Sequence, residues 1–528
     1  MTELLTAAQM RAAEQSAIDS NEVTGIELME RAGQGVIDAI FDEWPDLAAT
    51  SHRAIVFCGP GNNGGDGFVI ARLLKGWGWD VEIFLYGDIQ KLPPDARANY
   101  ERWSEIAGVR PFADFNLAAG WGCDLVIDAL FGTGLKRGLP DLGALFRNME
   151  ETVQSNDIEP GHPLGHPAIA AVDIPSGICA DSGRDFPNED VHTYFSATAH
   201  LTVSFHRYKV GHFLDVGAVR SKKAVVKDIG LRSLPNEKKI VGLAQAVHPS
   251  RARKNSGNHK FSHGHAIVLS GSAGTTGAAR LAARGALRIG AGLVTLGVPP
   301  AAQMEVASHI SAIMLRRIAN ANALTETLTD PRYNAICIGP GLGLTDHAHA
   351  LVRAVLKSNR PTVLDADALT ILQFDEADGL VEDLHKHCVL TPHAGEFGRI
   401  FPDIATRLNE NPSKGPAYSK VDATRDAARR AGCVVLFKGP DTVIAAPDGR
   451  CTIHSAHQAR AAPWLATAGS GDVLAGFVAG LMARGQKPWQ AAIDAAYLHV
   501  ECALHFGPGL ISEDLPEQLP GVFRQMLQ

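Results

Sequence analysis

Apolar residues recur at helical spacing over residues 6–19 and again over 25–40, GIELMERAGQGVIDAI, where Gly33 and Gly35 break the pattern. Both stretches are expected to be helices packed on the elements that come next in the chain. The period then changes: RAIVFCG at 53–59 is a β-rich run that stops in PGNNGGDG and continues as FVIARLLKGWG, which reads as strand, glycine loop and helix. Similar runs at 81–86, 125–130, 168–174 and 201–205, with helical segments between most of them, predict parallel strands. A second series opens at 265–270, where GSAGTTGAARLAARGALRIGAGLVTLGVP supplies glycine loop, helix and strand. The small residues of 278–287 are expected to bring that helix close to a sheet. AICIGPGLG, PTVLDADAL, VLTPHAGEFGRI and VVLFKGPDTVIAAPDG come after it, each ending in a polar or glycine loop. The alternation predicts an α/β chain with domains over 1–231 and 250–528 and a polar linker over 232–249.

Composition narrows the class. A chain of 528 residues with 45% hydrophobic content can fill two to four cores. A formal charge of −8 with no basic stripe argues against a nucleic-acid surface, so an anionic ligand must be held by local amides and lysines. The opening MTELLTAAQMRAAEQ fits neither a signal peptide nor a spanning helix, which makes the cytoplasm the expected location, and no membrane partner is expected. The eight cysteines are scattered with no CxxC spacing and are expected to be reduced core residues.

Chemistry concentrates where strands end. In the first half the loops carry Asn62, Asn63 and Asp66, then Asp128 with FGTGLKRG, then Asp173, Ser176 and Gly177, then His206 and Lys209; open α/β sheets bind ligands at that edge. Singly each has an ordinary explanation, such as a turn residue, a helix cap or a solvated charge. In the second half ATAGSGDVLAG at 466–476 places Gly469 and Gly471 where backbone amides can approach a phosphate at a helix N-terminus, with Asp472 facing the reacting atom. An Asp capping a helix after a glycine turn is the alternative. His393, after Thr391-Pro392, is equally readable as a capping histidine, and Lys438 as a solvated hairpin lysine.

The strings GPGNNGGDGFVIARLL, DLVIDALFGTGL, AVDIPSGICADSG and LTVSFHRYKVG together resemble the NAD(P)H-hydrate epimerase family over roughly residues 5–230. The resemblance implies a Rossmann-like domain in which Asn62, Asn63, Gly64, Gly65 and Asp66, with Gly132, Thr133, Gly134, Leu135, Lys136, Arg137 and Gly138, cradle a dinucleotide pyrophosphate. It implies Asp173 as the acid/base group beside the nicotinamide, Lys209 being a weaker candidate, and potassium held by Asn63, Asp128 and Ser176, an all-oxygen set suited to a hard monovalent cation. Residues 151–167 read as an insertion relative to that family.

IGPGLG, LDADAL, TPHAGEFGRI, KGPDT and ATAGSGDVLAG, in that order, resemble the ADP/ATP-dependent NAD(P)H-hydrate dehydratases over 250–527. The fold class implied is α/β with two three-layer αβα domains, the second ribokinase-like. The resemblance implies that Ala291, Gly341, His393 and Asp472 line the hydrated nicotinamide, and that Lys438, Gly439, Pro440, Asp441, Thr442 and Gly471 meet the nucleotide. It also implies ADP as co-substrate, magnesium held largely by phosphates, NADHX and NADPHX as substrates, and a homo-oligomer. SAHQARAAP at 455–463 and HVECALHFGPG near the C-terminus depart from the family's pattern on the adenine side. A small-molecule kinase, which shares GSGD loops, and a catalytically silent dinucleotide-binding module are the rival readings.

Overall fold

The computed structural model describes residues 2–156, 166–187, 195–232, 240–254, 257–372 and 380–527. They form two compact units.

The N-terminal unit is built on seven parallel strands in the spatial order Arg110–Pro111, Asp80–Leu85, Arg53–Cys58, Leu125–Ala129, Ala168–Val172, Ala199–Phe205 and Ser221–Lys227. The central strands are apolar runs because helices cover both faces, and Leu125–Ala129 is buried at every position. Strand order reverses between Arg53–Cys58 and Leu125–Ala129, the switch point at which such sheets open a crevice. The helices Ala7–Asp19 and Gly25–Glu43 precede the sheet, each started by a capping box, Thr6 with Gln9 and Thr24 with Glu27. Gly33 and Gly35 do not break the second helix. A Cβ on Gly33 would lie 2.4 Å from Val69 Cγ1, so these positions are glycine because the helix Asn62–Gly76 and the strand Ser221–Lys227 approach closely.

The C-terminal unit carries ten strands among the described residues, in the order Met314–Arg317, Leu293–Val298, His265–Leu269, Tyr333–Ile338, Thr362–Leu364, Cys388–Leu390, Val434–Phe437, Asp441–Ala445, Cys451–Ser455 and Val241–Leu243. Pairing is parallel up to Val434–Phe437 and antiparallel across the next two. The order reverses between His265–Leu269 and Tyr333–Ile338. Small residues in the helix Gly277–Arg288 seat a helix more closely than a sheet: Gly476, in the helix Ser470–Ala483, would place a Cβ 2.1 Å from Ala282 O.

Two stretches depart from the organisation read off the sequence. Part of the expected linker, Val241–Leu243, is a strand paired in parallel with Cys451–Ile453, since a short apolar run can complete a sheet edge inside a polar stretch. Residues Glu410–Ser419 belong to the N-terminal unit. Most of the expected insertion, 157–165, lies outside the described residues. All eight cysteines are free and seven are buried. No described helix is long and apolar enough to cross a membrane.

Candidate active sites

In the N-terminal unit the turn from Arg53–Cys58 into the helix Asn62–Gly76 is so tight that a Cβ on Gly64 would lie 2.0 Å from Gly59 O, and one on Gly59 1.6 Å from Leu130 O. Gly61 starts the helix without a side-chain cap, which leaves the first-turn amides to an anion. A Cβ on Gly132 would meet Asn63 Oδ1 at 2.8 Å and Asp173 Oδ2 at 3.4 Å. Three sequence-predicted positions therefore converge on one point. They border a cavity of about 510 Å³ that Arg11, Glu14, Asp66 and Gly132–Leu135 also line. Lys136, Arg137 and Gly138 lie beyond that lining, the first two exposed to solvent.

Asp173 closes the strand Ala168–Val172 with a positive φ of 66°, a strained conformation for an L residue that aims its carboxylate into the cavity mouth. Lys209, fully buried, donates to Asp173 Oδ1 at 2.7 Å and to Ser204 Oγ at 2.8 Å, and Ser204 Oγ donates to the same carboxylate oxygen at 3.2 Å. Burial pushes the Asp173 pKa up, but the Lys209 charge and hydrogen bond outweigh it and hold the group below the usual carboxylate value. His212, bonded to Asp173 O at 2.7 Å, is kept neutral by burial and by Lys209, with a pKa of about 4. Two further carboxyls face this charge. Burial and then Asp173 raise Glu14 to about 7, and burial, Asp173 and Glu14 raise Asp66 well above its ordinary value. Lys209, the weaker candidate from sequence, is thus the group that sets Asp173, and Glu14 has no sequence signal because it sits on a helix outside the strand-end pattern.

Asp128 is fully buried and receives only neutral donors: Ser176 Oγ at 2.6 Å, Ser176 N at 2.8 Å and Leu130 N at 3.3 Å. Burial raises its pKa despite them. Asn63, the third expected ligand, faces Gly132 and Asp173, and its buried Nδ2 has no hydrogen-bond partner among the described residues. A buried carboxylate with oxygen neighbours and no cationic side chain suits a monovalent cation.

In the C-terminal unit the strand ends again converge. Gly341, at φ 64°, would clash with Thr275 O if it bore a Cβ, and Thr275 Oγ1 donates to Gly341 O at 3.1 Å, which seats the GPGLG turn on the GSAGTT loop. Asp365, 1% exposed at the end of Thr362–Leu364, accepts from Thr391 Oγ1 and from Lys438 Nζ, both at 2.8 Å. Lys438 Nζ also lies 3.7 Å from Glu396 Oε2, and 3.3 Å from where a Cβ on Gly471 would stand. It is therefore an inward charge over the GSGD turn. Burial acts against that charge, but Asp365 and Glu396 outweigh it and raise the Lys438 pKa.

The helix Ser470–Ala483 starts at Gly469, φ 88°, again without a side-chain cap; Ser470 N turns back to Thr467 O at 3.4 Å, and Asp472 stands in the first turn. Burial, then Asp365, raise Asp472 to about 7, with Lys438 pulling the other way and Glu396 and Asp367 adding to the rise. His393 does cap its helix, accepting from Gly395 N at 3.0 Å and Glu396 N at 3.3 Å. Its ring is 56% exposed and stands 3.5 Å from Glu396 Oε1, so Glu396 and Lys438 link it to the GSGD turn. Gly439 O accepts from Thr442 Oγ1, Pro440 O from Ala456 N, and Asp441 from Lys420 Nζ at 2.7 Å, which makes the KGPDT turn rigid. Ala291 is not part of this cleft. It lies in the core, 2% exposed, before the strand Leu293–Val298 begins and hence at the edge opposite the loops. Asp365 and Glu396 are visible in their motifs, but their shared lysine exists only in the fold.

The comparisons with known proteins divide the chain the same way. The family model for NAD(P)H-hydrate dehydratase matches residues 266–515, and that for the YjeF-related protein N-terminus matches residues 25–211. The bifunctional NAD(P)H-hydrate repair enzyme Nnr of Moorella thermoacetica is 34% identical over 99% of this chain and 97% of its own length. That of Escherichia coli K12 is 30% identical over 96% and 91%. The NAD(P)H-hydrate epimerase of Rhodobacter capsulatus is 43% identical over 44% of this chain and 100% of its own length. With full-length relatives at this level and both clefts formed, the chain belongs to the bifunctional NAD(P)H-hydrate repair enzyme family.

Proposed function

We propose that the chain repairs hydrated nicotinamide coenzymes in two steps, interconverting the R and S epimers of NAD(P)HX in the N-terminal unit and dehydrating the S epimer at the expense of ADP in the C-terminal unit. Pairing the activities has a chemical reason: a dehydratase that accepts one epimer needs the other converted.

In the dehydratase cleft Asp472 takes the proton of the 6-hydroxyl as that oxygen attacks the terminal phosphoryl of ADP. AMP leaves; the nitrogen lone pair then expels phosphate from C6, and the C5 proton passes to the departing phosphate, so that the C5=C6 bond forms and the reduced nicotinamide is restored. The observation that carries this reading is the Lys438 ammonium, tied to Asp365 at 2.8 Å and placed over the GSGD turn, with Asp472 left at about 7 beside it. A base with that pKa is half ionised at neutral pH, where proton acceptance is most effective. Lys438 and the amides of 468–471 would stabilise the transferring phosphoryl. Magnesium carried by the nucleotide phosphates would add positive charge there, and Asp365 and Glu396 are the carboxylates of this cleft that could face it.

In the epimerase cleft the amides of 62–64 at the helix start and of 132–134 would hold the pyrophosphate. Asp173 Oδ2, the oxygen not bonded to Lys209, accepts the proton of the hemiaminal hydroxyl as the C6–N1 bond breaks and C6 becomes a carbonyl, while Glu14 or Asp66, whose pKa values burial raises, gives a proton to N1; the reverse transfers close the ring on the other face of the carbonyl. Asn63, Asp128 and Ser176 would hold potassium, whose positive charge would fix the loops beneath the ligand.

Replacing Asp472 by Ala tests the reading. Recovery of near-ultraviolet absorbance from S-NADHX with ADP is expected to fall by about 10³-fold or more while epimer interconversion continues. An unchanged dehydration rate would remove Asp472 from the mechanism.

A further inference from the structure

Residues Glu410–Ser419 lie between the helices Pro402–Asn409 and Lys420–Ala431 of the C-terminal half, yet pack as part of the N-terminal unit. Their contacts fall on the loop 132–139 and on the neighbouring segment 179–186. Gly415 N donates to Lys136 O at 3.0 Å. Ala417 is 5% exposed in the same apolar cluster as Leu135, Leu139 and Phe186, and its N–H points at Cys179 Sγ, 3.4 Å away. Arg184 anchors both ends of the segment, donating to Glu410 O at 2.6 Å and Tyr418 O at 3.4 Å. Gly415 leaves no room for a side chain: a Cβ there would stand 3.0 Å from Leu135 O, 3.2 Å from Phe186 Cζ and 3.3 Å from Lys136 Cα.

The loop that receives these contacts is tied at its start by Phe131 N to Ser176 Oγ at 2.9 Å and rests on the buried Leu135 and Leu139. One internal hydrogen bond, Leu135 N to Gly132 O at 3.2 Å, spans its turn, and Lys136 and Arg137 are exposed. Its other face, Gly132–Leu135, lines the epimerase cavity. A loop left to find its bound conformation on binding charges its ordering entropy to affinity, whereas one held in place beforehand does not.

We propose that Glu410–Ser419 is a positioning strap for the epimerase: Gly415 and Ala417 fix Leu135 and Lys136 from behind, so that Gly132–Leu135 is preset to receive the hydrated dinucleotide. This rests on the reading of that loop as the ligand's cradle. The epimerase unit is thereby completed by chain from the other half of the sequence.

The test uses the full chain with Gly415→Leu, whose side chain displaces the strap from Leu135 and Lys136. The epimerase KM for R-NADHX is expected to rise about tenfold with kcat within twofold, because the strap touches no reacting atom. Dehydration of S-NADHX is expected to be unchanged. Trypsin cleavage after Lys136 and Arg137 is expected to quicken by about an order of magnitude, which reads loop release without reference to activity. Arg184→Gln should move both readouts the same way by a smaller factor. Unchanged KM and cleavage rate in Gly415→Leu would overturn the strap. Gly132→Ala, which puts a methyl between Asn63 and Asp173, separates the two levels. If it cripples epimerisation while Gly415→Leu does nothing, the cradle stands and the strap falls; if Gly132→Ala is harmless, both fall.

Discussion

The two clefts use the same pair of side chains to opposite effect. In the N-terminal unit Lys209 bonds Asp173 itself, so the carboxylate proposed as the epimerase base is held ionised, while burial and its charge raise Glu14 to about 7 and Asp66 well above its ordinary value. In the C-terminal unit Lys438 bonds a neighbour, Asp365, and Asp472, the proposed dehydratase base, is left at about 7. The difference is one of address. A lysine at 2.7 Å settles its partner's charge, whereas one whose charge is already matched by another carboxylate only trims the base beside it. The first arrangement gives a base that stays ionised and passes a captured proton on readily, as a reversible exchange needs, and the second gives a stronger base, able to draw a proton from a hydroxyl near neutral pH.

Removing the lysines separates these cases, and the larger effect belongs to the epimerase. Lys209→Met leaves Asp173 buried with no cation, so its pKa should climb and epimerisation at pH 7 should fall by about 10²-fold or more. Breaking a buried pair in this way is also expected to cost about 3–5 kcal/mol of stability, visible as an earlier unfolding transition assigned to the N-terminal unit. Retention of full epimerase activity would mean that Asp173 does not need its charge.

Lys438→Gln should be milder and pH-dependent. A catalytic base works deprotonated, so dehydration is expected to rise with pH through about 7 in the unaltered chain, following Asp472. Lys438 lowers that pKa, so its loss moves the rising limb to higher pH: dehydration falls about tenfold at pH 7 and partly recovers by about pH 9. A uniform loss at every pH would assign Lys438 to nucleotide binding alone and remove its hold on Asp472.

What the sequence shows of this contrast is uneven for a physical reason. Strands and glycine loops are local patterns, and the runs at 53–59, 125–130, 168–174 and 265–270 are strands of the fold to within two residues, with Asp173 and Asp472 at their polar ends or at the start of a helix. Pairings are not local. Nothing in LDADAL says that Asp365 will take the lysine of KGPDT, and Glu14 sits in a helix whose apolar face is the only pattern it joins. Gly33 and Gly35 read as helix breakers because a close approach by Val69 or Lys227 cannot be seen along the chain. Ala291 is placed in the site by the family resemblance, although GAG precedes its strand and so opens on the far edge of the sheet. Val241–Leu243 and Glu410–Ser419 escape the sequence pattern for the related reason that a polar or proline-containing stretch does not announce the core it will join.

The central claim is that two separately tuned carboxylates, one per unit, act in series on one damaged coenzyme. Mixing full-length Asp173→Ala with full-length Asp472→Ala, with ADP and both epimers followed by chromatography, tests it directly. Each variant alone should leave R-NADHX unrepaired beyond the spontaneous rate of epimerisation, and the mixture should consume both epimers to reduced coenzyme. A mixture that consumes only S-NADHX, or an Asp173→Ala variant that repairs R-NADHX unaided, would contradict it.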